Sequence, residues 1–324
     1  MFQTNKLLTV VILLTLALFL SCQEDNKLQV DVSKISAKVR VVRFDQDFYG
    51  ASPNKLADIK QEYPYMFPVQ IPDSIWIAKM KDSLLLDLKQ EVDNNFPNLD
   101  KQKTSIKNLF KHIKYYYNKF KEPKILTLYS DWNYMHRAIY IDSIELVTLD
   151  NFLGRDNRVY KGIPNYIRQN LTPERIPIEI ANSIINSKIA PTRNKNLLNK
   201  MINIGKKLYM LDAFLPQTTD SLKIGYSAQK MQWIQNNEED VWIFFVENNL
   251  LYNTDTKLDR RFMNLAPYSK FYTEDDVKSP GRVGQYIGWQ IVRSYMKKNK
   301  VSLQQLIHTD EEEIFKKSGY KPKK

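Results

Sequence analysis

The sequence predicts an α+β fold, mostly helical, as a single large domain over residues 38–324. Three observations predict it. Strand-like runs are confined to the first half of the chain, at residues 38–48, 124–130 and 138–149. From Pro173 onward apolar residues recur at helical spacing, with breaks near Pro191, Pro216 and Pro267. No Pro/Gly/Ser linker, internal repeat or low-complexity stretch divides residues 38–324, and strands followed by helices read as α+β.

Taken in order, residues 38–48 (KVRVVRFDQDF) mix β-branched and charged side chains with rough alternation and predict a strand. Pro53 opens a helix that ends near Tyr63, because Pro64 cannot continue it. Residues 63–68 (YPYMFP) predict a rigid, buried connector. Asp73 or Ser74 caps a helix carrying Ile75, Trp76, Met80 and Leu84, and a further helical stretch over 85–92 stops before Phe96-Pro97. Between residues 99 and 120, Ile106, Leu109, Phe110, Ile113, Tyr117 and Phe120 trace a helical stripe.

Two strands follow, 124–130 and 138–149, separated by the turn group Asp131-Trp132-Asn133 and suited to an antiparallel or mixed sheet. Residues 151–165, with Gly154, Gly162 and Pro164, read as loop. Ser279 caps a late helix with Pro280 in its first position. Gly284 and Gly288, four apart, give that helix a face which a neighbour can approach closely, beside the stripe of Ile287, Ile291 and Tyr295. Thr309 and Glu312 predict a capping box, Lys316 and Lys317 suit the helix end, and Gly319 a left-handed cap.

The N-terminus predicts export. Residues 7–20 hold eleven large aliphatic or aromatic side chains behind Lys6. That is a positive start and an apolar core too short to span a bilayer, which takes about 20 residues. Ordinary cleavage wants small residues at the third and first positions before the cut, and Phe19 fails it. A cut between Ser21 and Cys22, with the Cys22 thiol lipidated, fits instead. Residues 1–21 thus resemble a bacterial lipoprotein signal, with Phe19 where leucine is usual. Residues 22–37, polar and carrying Glu24, Asp25, Asp31 and Lys34, predict a tether behind the anchor. Fully extended it reaches about 50 Å. Buried methylenes contribute about 0.8 kcal/mol each, so two or more acyl chains hold a protein firmly to a membrane. Acidic residues after Cys22 look like the surface-export signals of some Bacteroidetes lipoproteins. The expected location is the cell envelope, at the outer membrane in preference to the inner.

Cys22 is the only cysteine, so no intramolecular disulfide is expected. The net charge of +12 falls to +11 once Lys6 leaves with the signal. Such a balance favours acidic surroundings, whether lipid A phosphates, peptidoglycan carboxylates or an acidic protein. Export argues against nucleic acid as a partner.

Catalytic signatures are sparse. His112, His136 and His308 never pair at the four-residue spacing that puts two imidazoles on one helical face. His112 and His308 read as structural, and His136, between Trp132 and Tyr140, is the most interesting of the three. No G-x-S-x-G occurs. The glycines of residues 279–288 lack a preceding strand and a following acidic residue, so a dinucleotide loop is not expected. Arg282, beside a helix N-terminus, is a candidate holder of a carboxylate or phosphate. Carboxylate pairs exist at Asp45 with Asp47, Asp142 with Glu145, and Glu274 with Asp275 and Asp276. The 19 tyrosines, Tyr115-Tyr116-Tyr117 among them, either anchor an interface or pack locally.

Five stretches carry a wider resemblance: residues 42–49 (VRFDQDFY), 63–68 (YPYMFP), 73–76 (DSIW), 149–154 (LDNFLG) and 280–284 (PGRVG). In order, across nearly the whole mature chain, they resemble the gliding motility lipoprotein GldB family of the Bacteroidetes. The resemblance implies a membrane-anchored component needed for gliding, tied to the type IX secretion apparatus. GldB-like chains are in turn distantly similar to predicted zinc-dependent proteases that carry His-Glu-x-x-His on one helix and an acidic ligand before a glycine on a later one. The matching residues here are Ile178-Glu179-Ile180-Ala181-Asn182 and Asn203-Ile204-Gly205-Lys206. Glu179 stands at the position of the general base, while Ile178, Asn182 and Ile204 replace all three ligands. A catalytic zinc takes three protein ligands and an open water position. The implied fold is therefore zincin-like and emptied of its metal, with Glu179 an ordinary residue of the first helical turn.

The expected function is that of a lipoprotein acting without catalysis, through contacts with gliding and secretion lipoproteins and other envelope proteins. No catalytic residue, metal ligand or cofactor is assigned. The alternatives are a peptidase or glycan-cleaving hydrolase with a noncanonical site, or a binder of an acidic envelope polymer.

Overall fold

The computed structural model describes residues 28–130 and 133–323. Cys22, its signal segment, and Asp131 and Trp132 of the predicted turn lie outside the described residues. More than half of the chain is helical around one small sheet, the mostly helical α+β single domain that the sequence predicts. Residues 28–37 form no helix or strand, yet Leu28 packs against the core and Ala37 is buried in it.

The sheet has strands β1 (Arg40–Val42), β2 (Lys124–Leu128), β3 (Ala138–Ile141) and β4 (Ile144–Thr148), in the order β1-β2-β4-β3. β1 and β4 both run parallel to β2, pairing Arg40 with Lys124 and Lys124 with Ile144, and β3 closes antiparallel on β4. Two sequence expectations are corrected here. The predicted strand over 38–48 survives only as β1, and residues from Phe44 form helix α1 (Phe44–Tyr49). Phe44 and Phe48, four apart, bury one helical face, a spacing that overrides the β-branched run before it. The predicted strand over 138–149 is a hairpin, turned at Asp142, whose φ of 52° only a few residue types adopt readily.

Helices α2 (Leu56–Glu62), α3 (Asp73–Lys81), α4 (Ser83–Asn95) and α5 (Asp100–Tyr116) follow α1. The connector at residues 63–68 is only partly buried: Tyr63 and Phe67 are inside, while Tyr65 is exposed. Neither Asp73 nor Ser74 caps α3, which starts after Pro72. Leu84 belongs to the next helix, where Asp82 accepts from the Leu84 and Leu85 amides, and its side chain faces solvent. On α5 the expected stripe is buried at Ile106, Leu109, Phe110 and Ile113.

The second half holds α6 (Asn165–Arg168), α7 (Ile176–Asn186), α8 (Leu197–Phe214), α9 (Asp220–Ile224), α10 (Ala228–Asn236), α11 (Glu238–Glu247), α12 (Val283–Lys298), α13 (Leu303–His308) and α14 (Glu311–Ser318). α8 and α12 are the central pair, and the glycine face predicted on α12 is where they meet. A Cβ on Gly288 would lie 1.9 Å from the Met201 carbonyl oxygen, and one on Gly205 would lie 2.2 Å from that of Gly288. The two backbones touch. Asp212 of α8 ties this pair together, accepting from Trp289 Nε1, Lys223 Nζ and Arg293. Three ionic groups are thereby fixed in register between α8, α9 and α12.

Local details depart from expectation at three caps. α12 begins at Val283 with Arg282 as its cap, while Ser279 donates to the Asp276 carbonyl in the preceding turn. Asp310 caps α14, so Thr309 and Glu312 form no capping box there. The capping box is on α13, between Ser302 and Gln305. Gly319 does adopt the left-handed cap after Lys316 and Lys317.

Candidate functional site

The chain enters α7 through a short turn at Pro173–Arg175, and helical spacing then sets Arg175 and Glu179 on one face. Arg175 Nη2 and Nε donate to Glu179 Oε1 at 2.5 and 3.1 Å. From the start of the β3–β4 hairpin, Arg137 Nη1 donates to the same oxygen at 3.1 Å. Asn182 Nδ2 reaches Glu179 Oε2 at 3.5 Å. One carboxylate thus serves two guanidiniums.

A third guanidinium stands on the far side. Arg282, the cap of α12, points Nη2 at the Gly225 carbonyl at 3.4 Å, and its buried Nε has no acceptor. Asn170 Nδ2 donates to that same Gly225 carbonyl at 3.1 Å, and Asn170 gives its own carbonyl to Arg137 Nη1 at 3.2 Å. Gly225 caps α9 with φ of 76°, and a Cβ there would sit 3.2 Å from Arg175 Nη1. The Asn170–Gly225 contact is therefore the point on which Arg137, Arg175 and Arg282 converge.

Burial alone would raise Glu179, but the charges of Arg175 and Arg137 and their hydrogen bonds outweigh it and hold the carboxyl at about 2. Burial likewise pushes Arg137 and Arg282 below the usual guanidinium range. Among the described residues, three cations share one anion. A carboxylate held this low is a poor proton acceptor for a water molecule, and the surrounding positive charge repels a metal cation. The neighbouring donors do not help. Ile178 is fully buried among apolar residues and, like Ile204, has no lone pair to give; Asn182 is engaged with Glu179. The residues present do not fit a zinc site. Among the described residues no three His, Cys, Asp or Glu side chains come together as a ligand set.

The other residues singled out by sequence are dispersed. His112 is buried with Nδ1 2.9 Å from the Asn108 carbonyl, a structural role. His136 is exposed beside Asn133, and its neighbour Arg137 is the residue that enters the cluster. The carboxylate pairs are split between environments. Asp45 is buried against Arg43 and Thr127 while Asp47 accepts from Tyr63. Asp276 is buried in a loop, accepting from the Phe271 and Tyr272 amides. Tyr116 and Tyr117 pack against Phe214, and Tyr115 is half exposed. Sequence reading missed Arg137 and Arg175. Only the four-residue spacing of Arg175 and Glu179 was available as a signal, and it is a common one.

No helix among the described residues is long and apolar enough to cross a membrane. No curated protein and no solved structure matches the chain. A family model described as "Gliding motility protein GldB" matches residues 25–322, which takes in every segment described above except the last residue. The chain belongs to the GldB gliding motility lipoprotein family.

Proposed function

We propose that this protein is held in the cell envelope by lipid on Cys22, at the outer membrane, and is required for gliding, acting without catalysis through contacts with the gliding and type IX secretion machinery. The observation that carries the non-catalytic reading is the arginine lock on Glu179, whose carboxylate is held at about 2 by Arg175 and Arg137. A general base works best with a pKa near the operating pH. Glu179 lies far below it. If the family descends from a zinc protease, α7 has kept the glutamate and turned it from base into counter-ion.

Contact with other proteins is supported by apolar side chains left at one sheet edge. β3 is an outer strand, with Ile139 and Ile141 exposed on one face and Met135 exposed just before it. Such an edge offers both backbone groups and apolar area to a partner.

The test is complementation of cells that lack the protein. Glu179→Gln keeps an acceptor oxygen for both guanidiniums and removes the carboxylate base, so gliding should return wherever the variant accumulates in folded form. Cys22→Ser should leave the membrane fraction and fail to restore gliding. Folded, abundant Glu179→Gln protein in cells that do not glide would overturn the non-catalytic reading in favour of a hydrolase.

A further inference from the structure

We propose that Arg137, Arg175 and Arg282 form a binding site for a phosphate monoester dianion. The three guanidiniums come from three separate places, the residue before β3, the turn that leads into α7 and the cap of α12, and converge on the Asn170–Gly225 contact. Among the described residues Glu179 is the one carboxylate bonded to them, so within those residues three positive charges face one negative charge. A phosphate monoester supplies a charge of about −1.5 to −2 near neutral pH, which matches. Planar guanidinium forks also suit phosphate oxygens in pairs.

One feature of Arg282 points to a ligand. Its Nε is buried without an acceptor, an arrangement that costs free energy unless something supplies one. The rest of its guanidinium lies over the Tyr226 ring, 5.7 Å from the centroid. The positive end of the sixteen-residue α12 dipole falls at the same residue. The site is not sealed: Arg137 and Glu179 keep 14% and 15% of their side-chain area open, and Arg282 is half-buried. The phosphate belongs either to a lipid headgroup or to a small soluble ester.

The test uses the full chain in detergent, titrated calorimetrically at pH 7.5 with inorganic phosphate and, separately, with dihexanoyl phosphatidic acid. Chloride at equal ionic strength is the control. Saturable binding of phosphate beyond chloride is expected, weakened at least tenfold by Arg282→Gln. Should that variant fail to fold, Arg137→Gln gives the same reading from another element. Tighter binding of the short-chain lipid than of inorganic phosphate supports a headgroup source, and equal binding supports a soluble ester. No saturable binding of either probe, or unchanged affinity in a folded arginine variant, would overturn the proposal.

Discussion

Gly288→Ala is expected to cost about 3 kcal/mol or more, a large part of the stability of a domain whose total lies at roughly 5–15 kcal/mol. The sign is informative, because alanine is favoured over glycine in an exposed helix by about 1 kcal/mol. Here the added methyl would lie 1.9 Å from the Met201 oxygen and 2.3 Å from its carbonyl carbon, both backbone atoms that cannot rotate away. Relief requires the axes of α8 and α12 to separate, and that opens the packing of Met201, Ile202, Ile287 and Ile291, all fully buried. Gly162→Ala makes the control. It has φ of 91° and nothing within 4 Å, so only backbone strain is added there, about 1 kcal/mol. Denaturant unfolding of the two variants separates the effects; a Gly288→Ala protein as stable as wild type would contradict the contact.

The second large effect is a pH dependence seated at Glu145. This residue of β4 is fully buried, and burial raises its carboxyl from 4.5 to about 8, only partly offset by Ser183. The hydrogen bonds agree. Ser183 Oγ lies 2.6 Å from Glu145 Oε1 and 2.8 Å from the Ile180 carbonyl, yet a hydroxyl has one proton. Both contacts are satisfied when a protonated Glu145 donates to Ser183 and Ser183 donates to Ile180. The folded state then binds a proton that the unfolded chain has released. Stability is full below about 4.5 and declines as pH rises to about 8. The integrated loss is on the order of 4–5 kcal/mol as an upper bound.

Glu179 acts in the opposite direction. Its lowered carboxyl contributes stability above about 4.5 that is lost as pH falls toward 2. Thermal unfolding across pH should therefore peak near pH 4.5. Glu145→Gln, whose amide donates to Ser183 at any pH, should flatten the alkaline limb and exceed wild type at pH 9. A wild-type melting temperature that holds level from pH 5 to 8.5 would refute the assignment.

What the sequence disclosed depends on how local the cause is. The α8–α12 crossing was legible because two glycines four apart on one helix already imply a close neighbour. Its partner Gly205 was not, since nothing local distinguishes it from a solvent-facing glycine. β1 is too short for alternation to separate it from the helix that follows, and Phe44 with Phe48 decided the matter. In the hairpin, Ile141 and Ile144 continue the apolar run on both sides of Asp142-Ser143, which masked the turn. The arginine cluster was the least legible feature. Its members lie at 137, 175 and 282, brought together by the turn at Gly225, and no spacing rule joins residues so far apart. Only Arg282 carries a local signal, its place beside Pro280-Gly281.

As proposed, the Glu179 site is a guanidinium cluster with one counter-ion and not a metal centre. Its most direct test is the zinc content of the full chain, purified without a histidine tag and dialysed mildly, read by elemental analysis against protein concentration. Zinc far below one ion per chain is expected, unchanged by Glu179→Gln. Near-stoichiometric zinc, lost in that variant, would contradict it.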